Sequence, residues 1–296
     1  MLSIVIPTWN NLDYLKLCVE SLKKHSSVEH ELIVHVNDGS DGTLDWVRAS
    51  GVAHSHSAQN IGVCLSVNHL AARAKHDWLL YANDDMVFCP GWDSALVAAA
   101  KSLKTTLAVF SSTLIEPQDT GNPSVIVRDF GKTPAEFDQA RLINECHTFT
   151  RPDRNGHAAQ PTLVHRMWWH MAGGYSLEFS PGLSSDDDLL VKFWLMGCRD
   201  FHIVGASRVY HFSQRSTHRV RRNRGGRTFV MKWGITQQQF KRDYLARSAE
   251  IKGAMAPTPA GTLKRLSYAF GNYPLGDLAA WDAAPGRHMI KDSSKS

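Results

Sequence analysis

The sequence predicts an α/β fold: an open sheet with helices on both faces, followed by a small C-terminal helical and basic extension. Three observations carry this. Short apolar, β-branched runs alternate with stretches of helical periodicity through residues 1–103, and each run ends in a cluster of turn-forming polar residues. The chain has 296 residues, 43% hydrophobic and 21% charged, which suffices for one large core or two modest ones.

The elements follow in order. Leu2 to Ile6 reads as a strand that stops at Pro7-Thr8-Trp9-Asn10. Leu12, Leu15, Val19 and Leu22 then recur at helical spacing after a cap at Asn10 or Asn11. Glu31 to Val36 is a second strand, delivering Asn37-Asp38-Gly39-Ser40 at its end, so the first two strands form a parallel β-α-β unit. Val52 to His56 is a weaker strand, Val63 to Ala74 a helix after Asn60-Ile61-Gly62, and Asp77 to Ala82 the next strand. Trp92 to Leu103 reads as a helix and Leu107 to Ile115 as the fifth strand. Residues 116–161 carry many prolines and glycines and read as a loop-rich insertion. Order resumes at Thr162 to Arg166 and Trp168-Trp169, then in a helix from Leu189 to Met196 stopped by Gly197, and in an apolar stretch from Phe201 to Tyr210 leading into His211. Phe229 to Trp233 and Gln237 to Leu245 read as terminal helical elements, and Ala256 to Pro259 as a linker. The expected division is 1–103, 104–213 and 214–296.

Composition excludes several classes. No run approaches the roughly 20 apolar residues that span a bilayer, and the first apolar stretch lacks a basic flank, so the expectation is a soluble, cytoplasmic protein without a transmembrane segment. Five cysteines stand singly, which favours reduced, buried thiols. Net charge is only +5, but Arg215, Arg219, Arg221, Arg222, Arg224 and Arg227 crowd together with His218 into a strong local positive field. The chain has no Gly-x-Gly-x-x-Gly, Walker loop or Gly-x-Ser-x-Gly, which removes the common dehydrogenase, NTPase and hydrolase readings.

In open sheets of this kind ligands bind beyond the carboxyl ends of the strands, so Thr8 to Asn10, Asp38 to Asp41 and Asn83 to Asp85 are expected to converge on one crevice. Asn83-Asp84-Asp85 after the apolar run Trp78 to Ala82 is either an ordinary turn or a divalent metal site built from hard oxygen ligands. Asp186-Asp187-Asp188 before an apolar helix reads by itself as a cap that complements the helix dipole. His54 with His56, and His165 with His170, read as structural histidines.

Taken together in order and spacing, Ser3 to Asn10, Asn37 to Thr43, Asn60-Ile61-Gly62 with Asn68, Asn83-Asp84-Asp85, Gly173-Gly174-Tyr175, Asp186-Asp187-Asp188-Leu189 and His211 resemble a family 2 type inverting glycosyltransferase with the GT-A fold, over roughly residues 2–213. The resemblance implies a Rossmann-like nucleotide-binding sheet in which residues 1–103 bind a nucleotide sugar, 104–213 bind the acceptor, and 214–296 form an extension. It implies that Pro7, Thr8, Trp9, Asn10 and Asp38 meet the base and ribose, with Trp9 stacking and Asp38 accepting from the base. Asn60 and Gly62 resemble the loop that approaches the nucleotide closely, where a side chain at Gly62 would collide, and Asn68 lies further along the next helix. The family's metal motif is two acids separated by one residue; here Asn83 stands in the first acid's place, which removes one charge. Asp85 becomes the ligand to Mn2+ or Mg2+, Asn83 and Asp84 line the nucleotide side, and His211 resembles a further metal ligand, the other reading being a lone structural histidine.

The family pattern Glu-Asp-any-Asp-Leu, aligned on Asp188-Leu189, places the general base at Asp186 and Ser185 in the Glu position; Asp187 is the alternative base. The implied reaction is transfer of a sugar from a nucleoside diphosphate sugar, with UDP or dTDP favoured, to an acceptor hydroxyl on a glycan, a lipid-linked sugar or nucleic acid, with inversion. A second reading is a nucleic-acid binder acting through the Arg215 to Arg227 segment. A third, prompted by Asn83 and Ser185, is a non-catalytic relative. Trp168, Trp169 and the insertion are expected either to shape the acceptor side or to serve the core.

Overall fold

The computed structural model describes residues 1–213, 224–247, 249 and 251. Its first 103 residues alternate as the periodicity requires: β1 (Ser3–Trp9), α1 (Leu12–His25), β2 (Glu31–Asn37), α2 (Thr43–Ala49), β3 (Ala53–Ser57), α3 (Gly62–Arg73), β4 (Trp78–Tyr81), β5 (Met86–Phe88) and α4 (Trp92–Ser102). The second half adds β6 (Ala108–Glu116), β7 (Val125–Val127), α5 (Gln139–Glu145), β8 (Arg154–Asn155), β9 (Thr162–His165), α6 (Arg166–Met171), α7 (Ser185–Leu195) and β10 (Asp200–His211). Two further helices, α8 (Gly225–Trp233) and α9 (Gln237–Asp243), follow.

Among the described residues these strands make one ten-stranded sheet, with the path β3-β2-β1-β4-β9-β6-β10-β5 and with β7 on β6 and β8 on β10. β1, β2, β3 and β4 are parallel, while β9 runs antiparallel between β4 and β6. The two halves therefore interleave: β9, from after the insertion, separates β4 from β6, and β5 pairs with β10. β1 extends three residues beyond the expected stop at Ile6. Its pairing with β4 ends at Val5, so Pro7 sits where β2 alone flanks the strand, the edge-like setting that proline tolerates.

Both faces of the sheet are covered. Ile4 and Ile6 join one apolar cluster with Leu15, Val19, Trp92 and Leu96 of α1 and α4, whereas Val5 joins another with Cys64, Val67, Leu189 and Phe193 of α3 and α7. This is the period-two alternation of a strand buried on both sides. The 116–161 insertion is less bare than its composition implies. Phe130, Leu142 and Cys146 pack with Val87, Tyr210 and Phe212 into a third cluster at the sheet edge. α2 and β5 escape a periodicity reading because they have seven and three residues, too few to establish a period. All five cysteines are free and buried. No helix among the described residues is long and apolar enough to cross a membrane.

Candidate active site

The carboxyl ends of β1, β2 and β4, the start of α3 and the start of α7 enclose a pocket of about 430 Å³. Ten of the residues singled out from sequence line it: Pro7, Thr8, Trp9, Asn60, Gly62, Asn83, Asp84, Asp85, Asp186 and His211. Four do not, namely Asn10, Asp38, Asn68 and Asp187, and each has a definite occupation elsewhere.

The turn after β1 is held by carboxylates. Asp84 accepts from Thr8 Oγ1 at 2.6 Å and from Asn11 Nδ2 at 3.0 Å, so it locks the strand-end loops together from beneath the pocket. Asn11 precedes α1 and its side chain makes no cap bond; Asp41 Oδ2 instead accepts from the Leu12 N–H at 3.0 Å. Asn10 Nδ2 donates to Asp38 at 2.9 Å, and its Oδ1 accepts from the Gly39 N–H at 2.8 Å. Hydrogen bonds from Asn10 first, then from Ser40 and Trp9, hold the Asp38 carboxyl below its ordinary value. Asp38 thus stands outside the pocket but is linked to it through Trp9.

One wall presents Asp85 and His211. His211 closes β10, and its Nε2 lies 3.4 Å from Asp85 Oδ1. Its other nitrogen, Nδ1, meets Glu116 Oε1 at 2.8 Å. Burial alone lowers the imidazole, but the facing carboxylates of Asp85 and Glu116 outweigh it and hold His211 up at about 10. Glu116 is pushed up by burial, yet its bond and charge pairing with His211 bring it below its ordinary value. The arrangement fixes the ring from behind and leaves Nε2 beside Asp85, as a carboxylate does for a metal-ligating histidine. Glu116 is missed by motif reading. The signal that locates it is its position, the last residue of the fully buried strand β6, the same strand-end logic that marks Asp85. Asn83 holds a different place: its Oδ1 accepts from the Tyr81 hydroxyl at 3.0 Å.

Asp85 offers one hard oxygen, and His211 offers an imidazole nitrogen once a bound cation displaces the proton that the facing carboxylates hold there. Among the described residues no group of three or more His, Cys, Asp or Glu is assembled as a metal cage. Two protein ligands suit a cation whose remaining positions go to phosphate oxygens and water, the usual situation of Mg2+ and Mn2+ at phosphate-bearing substrates. The donor set fits that use.

The opposite wall is the start of α7, where three consecutive acids do three different things. Asp186 lines the pocket, and its Oδ1 accepts from the Tyr175 hydroxyl at 2.5 Å and from Gln160 Nε2 at 2.7 Å. Burial, reinforced by the Asp187 charge, raises its carboxyl above the ordinary value despite those bonds. Asp187 accepts from Gln237 at 2.5 Å and pairs with Lys241 Nζ at 2.8 Å, which ties α7 to α9. Asp188 is fully buried and holds Lys232 Nζ at 2.8 Å, the Trp233 indole at 3.0 Å and Ser176 Oγ at 2.6 Å, which ties α7 to α8 and to the 173–176 turn. Of the two candidate bases, the structure brings Asp186 to the pocket and commits Asp187 to packing.

Gly62 and Asn68 also meet the scaffold directly. A Cβ on Gly62 would lie 2.7 Å from Ser180 Oγ and 2.9 Å from Pro181 Cα, so the collision that demands glycine there is with the loop before α7. Its φ of +80° adds a second reason. Asn68 serves the scaffold: its Nδ2 donates to the Tyr175 carbonyl and its Oδ1 accepts from the Tyr175 N–H, both at 2.8 Å. Trp169 is buried against Tyr175, with ring centroids 5.1 Å apart, and neither Trp168 nor Trp169 lines the pocket. His54 bonds the Val52 carbonyl at 3.0 Å, His56 bonds the Asp38 carbonyl at 2.9 Å, and His165 accepts from the Met167 N–H at the start of α6, so these three serve nearby backbone. Of the arginine-rich segment, Arg215, Arg219, Arg221 and Arg222, with His218, lie outside the described residues, as does Ala256 to Pro259.

A family model described as Glycosyl transferase family 2 matches residues 3–159. The chain belongs to glycosyltransferase family 2. The match spans β1 to the residues before β9, so it includes Asp85 and Glu116 but stops short of Asp186 and His211. Among solved structures, S. aureus TarS residues 1–349 superposes with a TM-score of 0.52 at 13% identity, covering 71% of this chain and 60% of that one. A second structure of S. aureus TarS gives a TM-score of 0.49 at 13% identity, covering 71% of this chain and 36% of that one. The likeness is one of fold, and the chain spans about three fifths of the first TarS chain. A search of curated proteins finds no significant match. Members of family 2 transfer glycosyl groups from nucleotide-sugar donors to acceptors, and this chain brings Thr8, Trp9, Asp84 and Asp85, from the ends of its parallel strands, to one pocket.

Proposed function

We propose that this transferase is an inverting, metal-dependent enzyme that moves a hexosyl, deoxyhexosyl or pentosyl group from a nucleoside diphosphate sugar, UDP or dTDP favoured, to an acceptor hydroxyl of a glycan or lipid-linked sugar. The supporting observation is that the Asp85 and His211 pair and the raised-pKa carboxyl of Asp186 line one pocket of about 430 Å³ from separate elements.

In this reading Trp9, which lines the pocket, offers the flat face for the base, and Asp38, outside the pocket, steadies the Trp9 turn through its hydrogen bonds. Asp85 and His211 are the residues that would hold Mn2+ or Mg2+, with Glu116 orienting the imidazole. Such a cation neutralises charge that develops on the departing diphosphate. Asp186 takes the proton of the acceptor hydroxyl while that oxygen bonds the anomeric carbon from the side opposite the leaving group. A carboxyl held above its usual range is a stronger base for this step, and general-base assistance of this kind contributes roughly 10²–10⁴ in rate. Assignment to the cytoplasm accompanies this reading as a proposal.

The test is release of nucleotide from a panel of UDP- and dTDP-sugars with Mn2+, alongside thermal stabilisation by UDP and dTDP. Stabilisation by one nucleotide and slow hydrolysis of its sugars support the reading. Absence of both across the panel overturns it. The nucleic-acid reading rests on arginines of which only Arg224 and Arg227 are described, and no observation among the described residues favours it.

A further inference from the structure

Resting on the reading of Asp186 as the base, we propose that Tyr175 and Gln160 are positioning residues that decide which oxygen of Asp186 receives the proton. Both donors converge on Oδ1, Tyr175 at 2.5 Å and Gln160 at 2.7 Å. Among the described residues no hydrogen bond reaches Oδ2, so the carboxylate enters the reaction with one oxygen engaged and the other open. The acceptor O–H bond breaks toward Oδ2. The oxygen lone pair forms the bond to the anomeric carbon, and the electrons of the old C–O bond leave with the diphosphate.

The donors come from rigid places. Tyr175 is held at its backbone by both ends of the Asn68 side-chain amide, Nδ2 donating to its carbonyl and Oδ1 accepting from its N–H, at 2.8 Å each. Its ring stands edge-on between Tyr81 at 5.8 Å and Trp169 at 5.1 Å. Gly174 completes the fit, because a Cβ there would meet Asn68 Oδ1 at 2.3 Å and Trp169 Nε1 at 2.9 Å. The Gly-Gly-Tyr turn, Asn68 and Trp169 thus form one support whose product is a fixed phenol hydroxyl at Asp186. Gln160, 5% exposed, reaches the same oxygen from the loop before β9.

The groups facing Asp186 set the sign of the pH effect. Asp187 on α7 and burial favour the protonated acid, while the two donors and Lys241 of α9 favour the carboxylate. Tyr81 of β4 and Cys64 of α3 are neutral neighbours, their own ionisation pushed up chiefly by burial. Removing one donor therefore moves Asp186 toward its protonated form, by about tenfold in the ionisation equilibrium for a hydrogen bond to a charged group.

The experiment titrates the full chain by carbon NMR with carboxyl-labelled aspartate. The Asp186 signal is assigned by its loss in Asp186→Asn, and the pH profile of Mn2+-supported UDP-glucose and dTDP-glucose hydrolysis is recorded in parallel. In Tyr175→Phe the Asp186 titration moves to higher pH, and the acid limb of kcat moves with it while KM stays near wild type. Gln160→Leu moves both in the same direction and serves if Tyr175→Phe does not fold. Titration unchanged in both variants overturns the positioning role. Wild-type turnover by Asp186→Asn overturns the base reading instead, and the NMR titration keeps the two failures apart.

Discussion

Replacing Gly62 by alanine tests how the first residue of α3 holds the wall that carries Asp186. Gly62 has a φ of +80°, a conformation that costs an alanine about 1–2 kcal/mol. The new Cβ would also stand 2.7 Å from Ser180 Oγ and 2.9 Å from Pro181 Cα. The hydroxyl can rotate away, but the Pro181 backbone cannot, because its carbonyl accepts from the Val63 N–H at 2.8 Å. Overpacking of that kind adds roughly 1–3 kcal/mol, for a total of about 2–5 kcal/mol. Gly91 is the matched comparison: its φ is also +80°, and a Cβ there meets nothing within 4 Å. Gly91→Ala should lose only the backbone share, about 1–2 kcal/mol. Urea unfolding midpoints at constant slope measure both variants. Adding Ser180→Ala to Gly62→Ala should recover only the smaller part of the difference, since the Pro181 contact persists. Because the loop it displaces leads directly into Ser185 and Asp186, Gly62→Ala should also lower nucleotide-dependent turnover, while Gly91→Ala should not. Equal destabilisation by the two alanines would refute the close-approach argument.

Other predictions follow from the division of labour at the sites. Asp186→Asn should raise the melting temperature at pH 8. Its carboxyl is raised in the folded state, so ionisation above that value opposes folding, and the gain should shrink as pH falls toward the ordinary carboxylate value, where both states are protonated. Asp187→Asn should instead lower stability by about 1–3 kcal/mol, because it weakens a buried link to Gln237 and Lys241, while leaving measurable turnover in an assay that Asp186→Asn fails. Glu116→Gln should weaken Mn2+ binding by about 10–100-fold in a direct titration, since the imidazole loses its charged support at Nδ1. Leu142→Ala, at a fully buried position in the cluster of the insertion, should cost about 2–5 kcal/mol in urea unfolding.

The parts of the molecule legible in the sequence were those with a period or a strand-end position. β1, β2, β4 and β6 announce themselves as apolar runs, and the rule that ligands gather at parallel strand ends put Thr8, Trp9, Asp84 and Asp85 at one pocket. β9 was readable as an ordered stretch but its place between β4 and β6 was not, since antiparallel insertion depends on pairing across residues far apart in the chain. The acid triplet illustrates the limit most clearly. Adjacent residues at the start of a helix point about 100° apart, so Asp186, Asp187 and Asp188 necessarily face different neighbours. Which one faces the pocket is decided by where α8 and α9 pack, and that information lies some fifty residues downstream. Gly62 and Asn68 were found by motif but owe their identities to Pro181 and Tyr175, contacts that no spacing within the motif encodes.

The most direct test of the central claim separates binding from chemistry across the pocket. Affinity for the nucleoside diphosphate with Mn2+, by calorimetry, is measured beside donor turnover for wild type, Asp85→Asn and Asp186→Asn. The account predicts that Asp85→Asn loses metal-dependent nucleotide affinity, and that Asp186→Asn keeps it while kcat falls by roughly 10²–10⁴. Asp186→Asn turning over at the wild-type rate, or Asp85→Asn binding metal and nucleotide as wild type does, would contradict it.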